Sequence, residues 1–375
     1  MKALATGLAG IVTILALSSA PFAGPQSQRR SGPPKSAGFP DANTLAARRK
    51  AAENRRLFRS VEPLVFTLVA DFKAVNRDRD PNSTKTFPAT IEFMKDNGTP
   101  VSIPLQIRTR GHSRRRFEVC DFAPLRLEFP KNLTSGTVFD GHGSLKLGTH
   151  CRSTASFEQY VVREYAIYRI NNLLTPRSFR ARLAKATYVD AATKKIVASR
   201  TALFIEDNDD VAKRLEGRIS DLKGLSFKAV DRDSITMLTL FAYMIGDTDM
   251  SMIKLHNVQL VQTPKGIFYP VLYDFDYSGL VDAPYAIPDK QLGLGSVRDR
   301  LYRGPCLTPQ ELEPFFVRMR AVNADVMALY DTLPDLPDAY RRSAKGYLAQ
   351  FYRTIDRPGD VKRAFIEDCN GRAGM

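Results

Sequence analysis

From Asn257 to Asp274 the chain reads NVQLVQTPKGIFYPVLYD, and that stretch has few ways to fold. Polar and apolar residues alternate over 257–261, Thr263-Pro264-Lys265-Gly266 is turn chemistry, and 267–272 is a second apolar run. A β-hairpin is the expected result. It sets Asn257 at the entrance and Asp274 at the exit, so both side chains stand at one end of the ribbon. Asp249 lies just upstream. Oxygen ligands gathered this way suit a hard cation such as Mg²⁺ or Mn²⁺. Taken singly, each residue has a plainer reading, because Asp after a strand and Asn before one are ordinary turn residues. The ordered set around one hairpin is what points to a site.

The front of the chain is of another kind. Residues 1–24 read as an export signal: Lys2, an apolar run over 4–17, then small residues up to Gly24. The run is short for a membrane span, so export with cleavage is expected. Residues 25–59 carry Arg29, Arg30, Lys35, Arg48, Arg49, Lys50, Arg55, Arg56 and Arg59 against Asp41 and Glu53, within a formal charge of +15 for the whole chain. They read as a basic flexible linker that turns helical near 45–58. On an exported protein such an arm is expected to meet anionic membrane, wall polymer or acidic protein rather than nucleic acid. A solvated arm without a partner is the plainer alternative.

Residues 60–207 read as strand-rich, with strands at 64–70, 88–94, 101–109, 124–129, 144–148, 181–189 and 196–205. Asp96-Asn97-Gly98 marks a tight turn. One helix interrupts them at 157–174, stopped by Pro176. Residues 208–375 read as helical around the hairpin, with helices at 234–245, 309–329 and 336–355. Behind an export signal, four cysteines fit an oxidising compartment. They allow three pairings. Cys120–Cys151 with Cys306–Cys369 keeps each bridge within one half of the chain and is the expected pair. The cysteines form no CxxC and the histidines no ligand spacing, which speaks against zinc.

The run from Arg110 to Arg116 places arginines on a glycine turn after a strand. It could hold phosphate, or it could be an exposed basic hairpin. Asp78-Arg79-Asp80-Pro81 reads as a solvated turn. The acidic run 206–210 lacks the spacing of an EF-hand.

Four segments together resemble the CotH kinase family, atypical protein-kinase-like proteins first associated with bacterial spore coats. Ile107-Arg108-Thr109-Arg110-Gly111-His112-Ser113-Arg114 is similar to its strand and RGNS-type turn. Phe204-Ile205-Glu206 is similar to its strand ending in Glu. Gly246-Asp247-Thr248-Asp249 with His256-Asn257 resembles its Asn-x-Asp and His-Asn elements. Leu272-Tyr273-Asp274-Phe275-Asp276-Tyr277-Ser278-Gly279 resembles its metal motif. The likeness covers about residues 60–285. It implies an α+β, protein-kinase-like two-lobed fold, with a strand-rich N-lobe (60–207), a helical C-lobe (208–375) and ATP between them. Kinases order catalytic Asp, Asn ligand and metal-binding Asp along the chain. Asp249 would be the catalytic residue, and Asn257 and Asp274 the Mg²⁺ or Mn²⁺ ligands. Arg110 and Arg114 would meet phosphate, and Glu206 would border the nucleotide. Arg126 stands where the family often has lysine; Lys146 is the other candidate, with Glu158 or Glu164 to anchor it. The departures are concrete: Asp249 and Asn257 lie eight positions apart rather than five, and the chain has neither a G-x-G-x-x-G loop nor a V-A-I-K strand.

The leading expectation is an exported ATP- and metal-dependent phosphotransferase acting on a protein or cell-envelope hydroxyl. One rival is a non-catalytic envelope-binding or structural protein. Another is a metal-dependent hydrolase built on Asp247, Asp249 and Asp274.

Overall fold

The computed structural model describes residues 38–367 and Cys369. The expected export signal (1–24) and the first part of the basic linker (25–37) lie outside the described residues. The rest of the linker is folded. Helix α1 (Ala42–Glu53) is capped by Asp41, whose side chain accepts from the Thr44 N–H at 2.9 Å. Ala52 and Leu57 are fully buried. Arg180 donates to the carbonyls of Ala52 and Glu53, and Arg55 forms a two-point pair with Asp210 at 2.9 and 3.1 Å. Buried apolar anchors and these bonds give the segment a fixed place that its composition alone does not suggest.

Seven strands come next: β1 (Leu64–Ala70), β2 (Phe87–Met94), β3 (Pro100–Thr109), β4 (Leu125–Glu128), β5 (Ser144–Gly148), β6 (Ala181–Asp190) and β7 (Ile196–Ile205). Short helix α2 (Phe72–Arg77) lies between β1 and β2, and α3 (Glu158–Leu174) between β5 and β6. The expected Asn-Gly turn joins β2 to β3: Lys95 N–H bonds the Thr99 carbonyl at 2.9 Å, and Gly98 takes φ 79°.

The expected two-lobed protein-kinase-like fold is overturned here. The seven strands form a closed barrel in the order β1-β2-β3-β4-β5-β7-β6. Closure comes from β1 and β6, which pair in parallel from Leu64 opposite Ala184 to Ala70 opposite Asp190. An open lobe leaves two sheet edges, and here those edges satisfy each other. Alternating burial along β1 and β2 points one set of side chains inward. Phe66, Leu68, Ile91, Leu105, Leu147 and Phe204 meet in the barrel core.

Beyond the barrel come α4 (Asn208–Arg214), β8 (Arg218–Ser220), α5 (Arg232–Ile245), β9 (Val258–Gln262) and β10 (Phe268–Leu272). The expected hairpin forms from β9 and β10, with Val258 opposite Leu272, and β8 adds a third strand. Helices α6 (Pro309–Ala321), α7 (Asn323–Thr332) and α8 (Asp338–Asp356) complete this half. Its core, which includes Leu240, Phe241, Leu260, Phe275, Phe316 and Phe351, also takes in Val162, Ile167 and Tyr168 of α3. Helix α3 precedes the sequence boundary expected at 207, yet it packs with the second half of the chain. Both expected disulfides, Cys120–Cys151 and Cys306–Cys369, are present. Among the described residues no helix is long and apolar enough to cross a membrane.

Asp210 should govern the acid limb of stability. Burial alone would raise its pKa; bonds from His142 and Arg55 override this and hold it far below the usual carboxylate range. Its contribution is therefore complete above about pH 4 and lost as pH falls below that value. Asp210→Ala should cost about 3 kcal/mol near neutrality, because Arg55 loses its partner. Urea melts between pH 3 and 7 should show the gap to wild type closing toward acid. A gap independent of pH would contradict the assignment.

Candidate functional site

Asp274 leaves the end of β10 in the left-handed region, at φ 65°, and Asn257 enters β9 the same way at φ 54°. Asp and Asn tolerate this conformation better than most residues. Tyr273 N–H bonds the Asn257 carbonyl at 3.0 Å, which ties the two ends of the hairpin together. The backbone N–H of Asp274 donates to the hydroxyl of Tyr168 at 3.1 Å, from α3.

Arg114 organises the acidic side of the site. Its guanidinium lies 2.7 Å from Asp274 Oδ1, 3.2 Å from Asp276 Oδ2 and 3.5 Å from Glu164 Oε2. The arginine turn is thus no exposed basic hairpin at this point, since Arg114 and Arg115 are both buried. Arg115 donates to the carbonyls of Asp80 and Thr109, and Arg79 donates to those of Arg115 and Cys120. The loop around Asp78 and Asp80, read from sequence as a solvated turn, braces this one.

Three carboxylates face one arginine, and this sets their protonation. Burial pushes Glu164 up against the pull of Arg114, with Asp276 and Asp274 adding to the rise. Asp276 is raised by burial and by Asp274 and Asp249 despite Arg114. Asp274 is buried too, yet Arg114, Arg110, Lys146 and His256 hold it below its ordinary value. Asp274 is therefore the most readily ionised of the three.

Asp249 stands beside this group. Asn257 Nδ2 donates to its carbonyl at 2.7 Å and to its Oδ2 at 3.1 Å, and His256 Nε2 lies 3.3 Å from its Oδ1. The bond to Asp249, after some opposition from burial, raises the pKa of His256. Both described donor bonds of the Asn257 amide go to Asp249, which leaves its oxygen as the acceptor. The Asp249 side chain is 40% exposed, whereas Asp247 behind it is buried and pushed up to about 7 by burial and by Asp249. Asp247 Oδ1 accepts the Asp249 N–H at 2.9 Å.

Of the expected phosphate ligands, Arg110 and Lys146 act on Asp274 electrostatically. Arg110 Nη1 is buried without a hydrogen-bond partner. Lys146 donates to Asn208 Oδ1 at 2.7 Å and lies 4.5 Å from the centre of the Tyr273 ring. Burial, then Arg110, brings its pKa down to about 7. Neither expected glutamate anchors it: Glu164 pairs with Arg114 and Glu158 with Arg200. Arg126 bonds Ser144 and Asp207, and Glu206 is fully buried between Arg180 and Arg214. Those two residues do not join the hairpin cluster through any described contact. Sequence reading did not single out Asp276 or Tyr168. Their signal was present, Asp276 two positions after Asp274 and Tyr168 one helical turn after Glu164 on α3.

The donor chemistry fits a hard cation: carboxylate and amide oxygens, with Asp247 Oδ2 and Glu164 Oε1 buried and without hydrogen-bond donors. Among the described residues, however, no three His, Cys, Asp or Glu side chains gather as a cage. That combination suits an ion held by one or two protein oxygens and completed by water and phosphate, as Mg²⁺ prefers.

No protein-family model matches the chain, and no curated protein matches it. Among solved structures it is similar to that of a Helicobacter pylori proinflammatory kinase, CtkA, at 11% identity over 78% of this chain and 94% of that one, with a TM-score of 0.30. A superposition this loose assigns neither fold nor activity to this chain.

Arg114→Gln should destabilise the protein by about 3–5 kcal/mol, since it strands buried carboxylates. Their folded-state pKa values would rise further, so the loss should be larger at pH 8 than at pH 5, where they can take up protons. Melting temperatures at the two pH values test this. An equal loss at both would remove Arg114 from its organising role.

Proposed function

We propose that this protein is an exported phosphotransferase that uses ATP and Mg²⁺ or Mn²⁺ to modify a hydroxyl on a protein or cell-envelope acceptor. The observation that carries the reading is the convergence of Asp249, Asn257 and Asp274 at one end of the hairpin, with Arg110 and Lys146 acting on Asp274. Phosphoryl transfer requires positioning and charge neutralisation more than covalent chemistry. Asn257 Oδ1 and Asp274 would hold the metal, which when bound would neutralise nucleotide phosphate charge. Asp249 would orient the acceptor hydroxyl and accept its proton, its carboxylate kept in place by Asn257 and His256. Arg110 and Lys146 would offset charge on the transferring phosphoryl group. The quoted CotH-like segments support the assignment of roles, and the two disulfides fit an oxidising compartment.

A second reading has its own observation. Arg114 already occupies Asp274 Oδ1 at 2.7 Å, as a permanent cation would. On that reading the protein is a non-catalytic envelope-binding protein, and the guanidinium stands where a metal would otherwise be needed.

Calorimetry with ATP and Mn²⁺, together with phosphate transfer to envelope extract, separates the readings. Wild type should bind nucleotide only with metal, and Asp274→Ala should lose that metal-dependent binding. Asp249→Asn should still bind while transfer drops about 10²–10⁴-fold. Full transfer by a folded Asp249→Asn protein would remove the catalytic assignment. Nucleotide binding that ignores the metal would favour the binding-protein reading.

A further inference from the structure

A second concave site lies away from the hairpin, where the segment after α1 meets the end of α3 and the start of β6. It has a volume of about 360 Å³, and its lining includes Arg59, Arg169, Arg180 and Arg214 but no acidic residue. None of the residues assigned to the hairpin site contributes to it.

The four arginines are of two kinds. Arg180 and Arg214 are fixed. Both bond the fully buried Glu206, at 2.6 and 2.9 Å, and both also donate to backbone carbonyls, those of Ala52 and Glu53 for one and of Pro176 and Ser178 for the other. The ring of Phe58, another lining residue, lies 5.2 Å from the Arg180 guanidinium. One carboxylate thus serves two guanidinium groups and leaves a net positive charge held rigidly. Arg59 and Arg169 have only neutral partners: Arg59 donates to Asn54 Oδ1 at 2.7 Å and Arg169 to the Tyr165 hydroxyl at 2.8 Å. Among the described residues neither has a carboxylate partner. Ser60 Oγ accepts the Glu62 N–H at 3.1 Å, so its own O–H is available to donate.

We infer that this pocket binds a phosphate-bearing anion. Positive charge exceeds negative inside a concavity whose walls are already immobilised, so a ligand need not order them. Guanidinium forks match phosphate oxygens in pairs, and a phosphate dianion can accept from several arginines at once. A single carboxylate would neutralise less of the charge. The inference is independent of the phosphotransferase reading, because it uses a different set of residues and needs no metal.

Inorganic phosphate is the probe. Calorimetry on the purified chain, at constant ionic strength and without divalent metal, should show saturable binding. Arg169→Gln should weaken it about tenfold or more, as expected for loss of one charged hydrogen bond. Arg59→Gln, a change at an exposed position, should weaken it too and serves if the first variant fails to fold. Lys265→Gln, an exposed change in the β9–β10 turn, should bind phosphate as wild type does. Sedimentation with phosphatidylcholine vesicles containing phosphatidic acid identifies the source of the anion. Co-sedimentation lost in Arg169→Gln assigns a lipid headgroup, and phosphate binding without co-sedimentation assigns a soluble phosphate ester. No phosphate binding by wild type, wild-type binding by both arginine variants, or loss of binding in Lys265→Gln would each overturn the proposal.

Discussion

One guanidinium, that of Arg114, keeps the centre of this protein together. It reaches carboxylates from α3 and from the segment after β10, so it joins elements that share no local sequence. A buried ion pair is weak evidence of net stability, since desolvation cancels much of the attraction. Its value here lies in geometry. Arg114 favours the ionised form of all three carboxylates: it helps hold Asp274 below its ordinary value and opposes the burial that pushes Glu164 and Asp276 toward their neutral forms. The Arg79 and Arg115 bonds to backbone carbonyls matter for the same reason, because they aim the turn that aims Arg114.

The hairpin was fully legible in the sequence. Two strand-forming runs flank the Thr-Pro-Lys-Gly turn, so both ends come from local rules, although the burial of β9 on both faces does not follow the alternation. The disulfide pairs were legible from position alone. Barrel closure was not. The parallel contact of β1 with β6 joins segments separated by four other strands and two helices, and nothing in either strand names its partner. The same limit hid the partners of Arg114 and Glu206. Each residue was visible, but its neighbours come from distant segments, and the type of a charged residue does not say which opposite charge it will find. In the basic front segment the helical part was legible, but its anchoring was not: the burial of Ala52 and Leu57 and the bonds to Arg180 and Asp210 come from distant residues.

The two proposals differ in the state of their arginines. At the hairpin, three carboxylates face Arg114, an arrangement that would favour an added cation. In the pocket beside α3, Arg180 and Arg214 share Glu206 among the described residues, an arrangement that would favour an added anion. A single chain can carry both because Glu206 and Asp274 are separated by the hydrophobic packing of α3, β10 and the helices around them.

The parallel seam of the barrel also sets an order of events. The first strand has one neighbour close behind it in the chain, β2, but its other neighbour is made much later, after α3. A chain threaded through a membrane from its N-terminus would present β1 long before β6 emerged to cover it. Its outer edge would stay unpaired through that interval, open to any strand that passed. Loop-closure entropy further delays such a distant contact. The last stitch of the barrel is thus a timing requirement: the seam cannot close until β6, the sixth of the seven strands, has been made.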